Sequence, residues 1–233
     1  MPKAALFDVD GTLVDSNDLH AEAWGEIFRR FGVDIPHAVI RQQIGKGGDN
    51  LMPALLPPRL IAAHGPEIEA QRRSLYRDRY LPRVRPFPGV RALFEALRRD
   101  DIRIMLASSA AEQQVRQHCA MLDIADLIEG TVSGDDVAHS KPCPDLFAAA
   151  LNRLGGIDPQ DVVVIGDSPY DMEAASKLGI PAVGLQCGGF DAGLLRWSGA
   201  AALFDGPWAL PPCIGDWLPE KVAKPRPVPA PTP

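Results

Sequence analysis

The sequence has no Cys-x-x-Cys pair and no apolar run near the roughly 18 residues that a membrane-spanning helix requires. Its four cysteines lie far apart, at positions 119, 143, 187 and 213. We therefore expect reduced thiols rather than a disulfide framework or a zinc site, and no membrane span. Because no basic, apolar leader precedes the first acidic residues, we also expect a cytoplasmic protein.

An excess of positive charge is also missing. The chain has 24 Lys and Arg against 30 Asp and Glu, which gives a net charge of −6. Nucleic acids and anionic membranes attract basic proteins, so neither is an expected partner, and an anionic substrate would need a local positive site. The 233 residues, 46% of them hydrophobic, suffice for one large or two modest domains. We expect a monomer or a small homo-oligomer.

Two carboxylates follow the first apolar stretch of the chain. The residues before Asp8 predict a buried strand, and Gly11 permits a sharp turn after Asp10. Asp8 and Asp10 would then point the same way at the carboxyl end of a strand, where open α/β sheets bind ligands. Asp and Gly also form ordinary turns, but the Ser, Lys and Asp residues that follow later predicted strands favour a functional site.

The pattern of elements divides the chain into three parts. Helical spacing runs from Asn17 to Tyr80, with Ser16 as predicted N-cap of the first helix. From Gly89 strands and helices alternate, which indicates a parallel sheet. We predict an α/β fold, a Rossmann-like core (1–15 and 86–218) with helices on both faces and an inserted all-helical domain (16–85). The Pro-rich segment 219–233 is predicted to be extended or disordered.

The run from Asp8 to Ser16 resembles the first signature of the haloacid dehalogenase superfamily, in the phosphatase branch that carries a small helical cap. The resemblance extends from Lys3 to about Leu185. It implies that Asp8 is a nucleophile forming an aspartyl-phosphate. It also implies that Asp10 protonates the leaving group and then acts as base on the hydrolytic water. The cap would close over the site and exclude water, with hinges near 14–17 and 83–88.

The same resemblance implies Mg²⁺, which prefers oxygen ligands. Its protein ligands would be the Asp8 side chain, the Asp10 backbone carbonyl and Asp167, which follows the predicted strand 162–165. Ser168 and Asp171 would surround these ligands without direct ligation. Asp171 fits equally well as a first-turn helix residue favoured by the helix dipole.

Further residues are assigned to the phosphate and the substrate. Ser108 resembles the second signature, a hydroxyl on the phosphate, with the Ser109 amide assisting, although a Ser pair before a helix is also a common cap. Lys141 resembles the third signature, stabilising Asp8 and the transition state. We expect its replacement to cost catalysis far more than folding.

Four residues near the site complete the prediction. Gly11 and Thr12 would lend backbone amides and a hydroxyl to the phosphate. Lys46, in a glycine-rich loop, would reach the leaving group, or the loop is simply a flexible turn. His20 would bond Asp10 or the substrate, or be a packed histidine. The arginines of the last cap helix do not share one helical stripe, so most should face solvent.

The leading hypothesis is a Mg²⁺-dependent phosphatase for a small phosphorylated metabolite, similar to phosphoglycolate phosphatase. The alternative is a phosphomutase similar to β-phosphoglucomutase, although the loop 45–48 has no nearby Arg to favour a sugar phosphate. Dehalogenases and phosphonate-cleaving enzymes do not need Asp10. A signalling receiver module, which is phosphorylated on an Asp, would be shorter than this chain. A protein that only binds partners and has no catalytic activity would leave the combination of Asp, Ser and Lys residues unexplained.

Overall fold

The computed structural model describes residues 1–211 and 213–218. The predicted disordered segment 219–233 lies outside the described residues. Within them, eight strands form two sheets: β1 Ala4–Phe7, β2 Val14–Asp15, β3 Arg85–Pro86, β4 Arg103–Ala107, β5 Gly130–Val132, β6 Val162–Gly166, β7 Ala182–Leu185 and β8 Ala200–Phe204.

The main sheet has six parallel strands in the order β5-β4-β1-β6-β7-β8 among the described residues. β1 is central because it pairs with β4 on one side and β6 on the other. All four residues of β1 are fully buried, which explains its continuous apolar sequence. The predicted Rossmann-like parallel sheet is confirmed, and β8 is one of its edge strands.

Helices cover both faces of this sheet. They are α5 Val90–Arg99, α6 Glu112–Leu122, α7 Asp145–Arg153, α8 Pro169–Lys177 and α9 Ala192–Trp197. One apolar core joins α5 and α6 to the first face and includes Trp217, whose side chain is fully buried. A second core joins α7, α8 and α9 to the other face. The helix α9 was not predicted, and α8 begins at Pro169 because proline is favourable at a first helical position.

The insertion between β2 and β3 contains only helices and turns among regular elements. Its helices are α1 Asn17–Arg30, α2 His37–Arg41, α3 Gly48–Leu55 and α4 Pro58–Leu75, and α4 continues into one π-helical turn, Tyr76–Tyr80. A separate apolar core around Trp24 and Phe28 packs α1 against α3 and α4. The predicted all-helical insertion is confirmed.

The chain enters and leaves the insertion through a small antiparallel ribbon. Val14 pairs with Pro86, and Asp15 pairs with Arg85. A two-residue strand is too short to show a period in sequence, so this ribbon was not predicted. It holds both connections of the insertion side by side at the edge of the core.

All four cysteines are free thiols, as expected from their spacing. In the part of the chain that the structure describes, no helix combines the length and the apolar character needed to cross a membrane.

Candidate active site

Three neighbouring strands bring the predicted site residues to one edge of the sheet. Asp8 follows β1, Ser108 follows β4 and Asp167 follows β6. Since these strands are adjacent and parallel, their carboxyl ends lie side by side although the residues are far apart in sequence. Lys141 reaches the same point from the loop before α7.

Lys141 lies between two carboxylates and is fully buried. Its Nζ lies 2.5 Å from Asp8 Oδ1 and 2.7 Å from Asp171 Oδ1, and it donates to the Ala107 carbonyl at 2.9 Å. Burial alone would lower the pKa of Lys141, but the charges of Asp171 and Asp8 outweigh it and raise the pKa. The ammonium group therefore keeps its proton and supplies a fixed positive charge.

The negative charge of the carboxylates around Lys141 exceeds the positive charge of one lysine. Carboxylate oxygens of Asp8, Asp167 and Asp171 all lie within 4.8 Å of one another, and all three side chains are buried. Burial raises the pKa of Asp8 well above its ordinary value; the Lys141 charge opposes this rise, and Asp171 and Asp167 add to it. Burial and the neighbouring Asp171 also raise the pKa of Asp167 to about 7. Such a cluster favours an additional cation.

Two side chains orient Asp167. Asn17 Nδ2 donates to Asp167 Oδ2 at 2.7 Å, and Thr12 Oγ1 donates to Asp167 Oδ1 at 3.1 Å. The Thr12 hydroxyl also lies 3.2 Å from Asp8 Oδ2, so it bridges the two carboxylates. Asn17 was not identified from sequence, where it reads only as the first residue of α1.

Asp171 lies in the first turn of α8, the helical role considered for it, and also contacts Lys141. Its Oδ2 accepts from the Ser168 backbone N–H at 3.1 Å and the Ser168 hydroxyl at 2.6 Å, a capping box at the start of α8. Its Oδ1 faces Lys141. Ser168 is therefore a helix cap that fixes the orientation of Asp171.

Asp10 is held by three side chains, two from the start of α1 and one from α6. Ser16 Oγ donates to Asp10 Oδ1 at 2.7 Å, His20 Nε2 lies 3.0 Å from the same oxygen, and Gln114 Nε2 lies 3.3 Å from it. The His20 ring stacks on Tyr76 with centroids 3.9 Å apart. Ser16 occupies the predicted N-cap position of α1, but its hydroxyl bonds Asp10 instead of a helix N–H.

These contacts determine the protonation state of Asp10. Burial alone would raise its pKa, but the nearby His20 and His118 and the hydrogen bonds from His20 and Ser16 lower it below the ordinary value. Asp10 is therefore a carboxylate in this conformation. Gln114, on α6, was not identified from sequence because its contact with Asp10 depends on the fold.

The Gly11 and Thr12 backbone amides, expected near the phosphate, both make hydrogen bonds within the turn in this structure. Gly11 N donates to the Val14 carbonyl at 2.9 Å, and Thr12 N donates to the Val9 carbonyl at 3.2 Å. Both amides close the turn after β1. Gly11 has φ +80°, and a Cβ there would lie 2.1 Å from the Asn17 amide, so glycine is required for both reasons.

A cavity of about 440 Å³ lies between this site and the insertion. Asp8, Asp10 and Ser108 line its core side, and Lys46 lines it from the insertion. The Lys46 ammonium donates to Gln43 Oε1 at 2.6 Å and lies 4.6 Å above the Tyr170 ring.

Ser108 and Ser109, both predicted site residues, lie where the core meets the cavity. The Ser108 hydroxyl accepts a hydrogen bond from the Ala110 N–H at 3.1 Å, as expected of a helix cap. Ser108 also lines the cavity. Ser109 lines the cavity too, but its hydroxyl donates to the Gly45 carbonyl of the insertion at 3.2 Å.

The arginines after Gln71 separate into two groups. Arg72 and Arg73 line the cavity, and Arg72 is only 9% exposed. Outside the cavity, Arg77 pairs with Asp78, Arg79 with Glu26 and Arg83 with Glu22, whereas Arg85 donates to the Pro82 and Val84 carbonyls. Although the loop 45–48 itself contains no arginine, α4 supplies two arginines to the cavity.

Comparisons with known proteins agree with this geometry. A family model of haloacid dehalogenase-like hydrolases matches residues 2–179. A phosphoglycolate phosphatase from Rhodospirillum rubrum is 30% identical over 94% of this chain and 91% of its own. A phosphorylated carbohydrates phosphatase from Thermotoga maritima is 28% identical over 76% of this chain and 82% of its own.

A solved structure, a hydrolase from Pseudomonas syringae, superposes with a TM-score of 0.82 at 29% identity. The superposition covers 90% of this chain and 95% of that one. The resemblance found in sequence is confirmed, since the family model spans most of the chain: it belongs to the haloacid dehalogenase-like hydrolase family.

Proposed function

We propose that this chain is a Mg²⁺-dependent phosphatase that hydrolyses a small phosphate monoester through an aspartyl-phosphate on Asp8. The observation that carries the proposal is the contact of the buried Lys141 with Asp171 and with Asp8, which lines the cavity. A carboxylate can attack an anionic phosphoryl group only where positive charge offsets the repulsion. The phosphatase names of both relatives support the reaction class.

The residues present fit Mg²⁺. Oxygen atoms of three buried carboxylates lie within 4.8 Å of one another, and hard oxygen donors are the ligands this ion prefers. Asp8, Asp167 and the Asp10 backbone carbonyl would hold the ion, while Asp171 is already engaged by Ser168 and Lys141. When bound, Mg²⁺ would neutralise charge on the phosphoryl oxygens and the attacking carboxylate.

The chain's own residues would carry the two steps. An Asp8 oxygen forms a bond to phosphorus as the bond to the alcohol oxygen breaks, and Asp10 gives that oxygen a proton. Water then attacks the phosphorus of the aspartyl-phosphate, Asp10 takes its proton, and inorganic phosphate leaves with Asp8 restored. Ser108 and Lys141 would stabilise the transferring group, and Ser109 and Thr12 would support the cavity and the carboxylates.

Asp10 must change protonation state during this cycle. Its lowered pKa makes it the base that the second step needs. The first step needs the acid, and an anionic phosphoryl group entering beside it would raise its pKa and favour proton uptake. His20 and Gln114 would keep the carboxyl group oriented in both states.

The insertion would act as a cap over the core, with domain limits at 1–15 and 86–218 for the core and 16–85 for the cap. It already contributes His20 and Lys46 to the cavity. Closure would exclude water from the site, and the ribbon of β2 and β3 would be the hinge.

A phosphate-release screen over small phosphorylated metabolites tests the function. The wild type with Mg²⁺ should release phosphate, and Asp8→Asn should lose at least about 10³-fold in rate. Equal rates for the two would show that the nucleophile assignment is wrong. Isomerisation of a sugar 1-phosphate without phosphate release would instead favour the phosphomutase alternative.

A further inference from the structure

His20 approaches Asp10 through only one of its two ring nitrogens. Its Nε2 lies 3.0 Å from Asp10 Oδ1 and 3.2 Å from the side-chain nitrogen of Gln114. Among residues 1–211 and 213–218, none makes a hydrogen bond to the other ring nitrogen, Nδ1. A hydrogen bond at the second nitrogen commonly fixes the tautomer and the orientation of a functional imidazole. Here the orientation of the ring depends on packing instead.

The ring of Tyr76 supplies that packing. It lies face to face with the imidazole, with centroids 3.9 Å apart and planes inclined by 5°. Tyr76 is 1% exposed and His20 is 7% exposed, so both rings lie in the closely packed interior. An imidazole that tilted out of its plane would collide with the Tyr76 ring. The stack therefore keeps Nε2 within hydrogen-bonding distance of Asp10.

The Tyr76 hydroxyl takes no part in this arrangement. Its oxygen is buried and has no hydrogen-bond partner in the part of the chain that the structure describes. A buried hydroxyl without a partner destabilises a fold, so the hydroxyl gives no reason for a tyrosine at this position. The part of Tyr76 that serves the site is its ring.

The backbone at Tyr76 departs from regular α-helical geometry. The π-helical turn Tyr76–Tyr80 follows α4, and such turns are rare and occur frequently at functional sites. The same turn contains Tyr80, which is also buried and whose hydroxyl donates to Glu26 at 3.1 Å. Its ring lies 6.3 Å from that of Tyr76. Tyr80 is therefore a matched comparison, with the same residue type and the same turn but without the stack on His20.

We infer, on the basis of the phosphatase function proposed above, that Tyr76 is a positioning residue whose ring holds His20 against Asp10 while Asp10 protonates the leaving alcohol. Proton transfer requires a correctly oriented carboxyl group, so a His20 ring that is free to tilt slows the departure of an alcohol that needs the proton. A good leaving group departs as an anion and depends little on this orientation.

The test compares two aryl esters of similar shape. Phenyl phosphate releases a phenol with a pKa of about 10, like that of a tyrosine side chain, whereas p-nitrophenyl phosphate releases a much better leaving group. The kcat/KM value covers the steps through release of the alcohol, in which Asp10 acts as the acid. Tyr76→Leu should lower kcat/KM about tenfold for phenyl phosphate and less than about twofold for p-nitrophenyl phosphate.

The control variants separate the ring from the hydroxyl and from the fold. Tyr76→Phe keeps the ring and should retain the wild-type ratio of the two kcat/KM values. Tyr80→Leu should leave this ratio unchanged. In a His20→Gln background, Tyr76→Leu should change the ratio no further, because Tyr76 acts through His20.

A second measurement does not depend on turnover. A tyrosine ring stacked on an imidazole shifts the NMR signals of the imidazole protons upfield. The His20 signals, identified by their loss in His20→Gln, should show this shift in the wild type and in Tyr76→Phe. They should lose it in Tyr76→Leu.

The outcomes separate this inference from the proposed function. An equal loss on both esters in Tyr76→Leu overturns the inference, because it shows a purely structural role. The same change of ratio in Tyr80→Leu overturns it too, and so do wild-type His20 signals without the upfield shift. All three leave the phosphatase activity intact. No phosphate release from either ester or from any metabolite of the screen would overturn the phosphatase function itself, and this inference with it.

Discussion

Asp49 of the insertion accepts two hydrogen bonds from Ser140, the residue directly before Lys141. The Ser140 hydroxyl donates to Asp49 Oδ1 at 2.5 Å, and the Ser140 N–H donates to Asp49 Oδ2 at 2.9 Å. The neighbouring Gly47 N–H and Asn50 side chain bond Ser140 as well. The start of α3 is therefore connected to the loop that carries the buried lysine, which links the position of the insertion to that of Lys141.

Asp49→Ala should reduce kcat/KM about tenfold, because hydrogen bonds to a charged group contribute about 1.5–3 kcal/mol to holding the insertion closed. Steady-state kinetics on a responsive phosphate ester measures this. Asp34→Ala is the control, since Asp34 is exposed in the same insertion and makes only a 3.9 Å contact with Arg29. Similar rates for both variants would mean that the Asp49 contact does not control closure.

Lys141→Ala should be costly for folding as well as for catalysis, contrary to the expectation from sequence alone. Its removal leaves Asp8 and Asp171 buried without their cation, which costs about 3–5 kcal/mol. Urea unfolding measures the loss, and added Mg²⁺ should recover part of it. Lys3→Ala, at an exposed lysine that pairs with Asp161 away from this loop, is the control. A fully stable Lys141→Ala protein would contradict the prediction.

Mg²⁺ should stabilise the fold more as pH rises through about 7. The raised pKa of Asp167 means that the metal-free folded state binds more protons than the unfolded state between the ordinary pKa and about 7. Its stability therefore falls as pH rises across that interval. Mg²⁺ needs the deprotonated carboxylate and reverses this loss.

The increase in Tm on adding Mg²⁺ should accordingly be larger at about pH 8 than at about pH 5.5. Differential scanning calorimetry, with EDTA as the metal-free reference, measures it. An increase that is the same at both pH values would argue against Asp167 as a ligand.

Gln114→Ala should lower kcat by about three- to tenfold with little change in KM, because Asp10 loses one of the groups that orient it. Gln114→Asn should recover part of the rate if its amide reaches Asp10. The control is Gln113→Ala, an exposed neighbour on the same helix. Equal kinetics for the two alanine variants would remove Gln114 from the site.

The strands and most helices were predictable because their signals are local. The apolar run before Asp8 and the alternation after Gly89 reflect burial within single elements, and these elements form as expected. The ends of elements are less local, because they depend on the neighbouring strands: β5 spans only Gly130–Val132, the residues that pair with β4.

The site was partly predictable for the same reason. Asp8, Ser108 and Asp167 each follow a strand whose apolar run can be seen in sequence, and parallel strands place their carboxyl ends together. Asn17, Ser16 and Gln114 have no such signal. Each is a common polar residue whose importance depends on which carboxylate lies beside it after folding.

The sequence by itself determined the order of elements, the helical insertion and the carboxylates at the strand ends, because hydrophobic periodicity acts within a few residues. Only the tertiary structure decided which hydrogen-bond partner each polar group around them has. It uses the Gly11 and Thr12 amides to close a turn, and it pairs Glu69 with Arg72 on the cavity wall. Hydrogen bonds are made by whichever partners packing brings within about 3 Å, and distance in sequence does not restrict that choice.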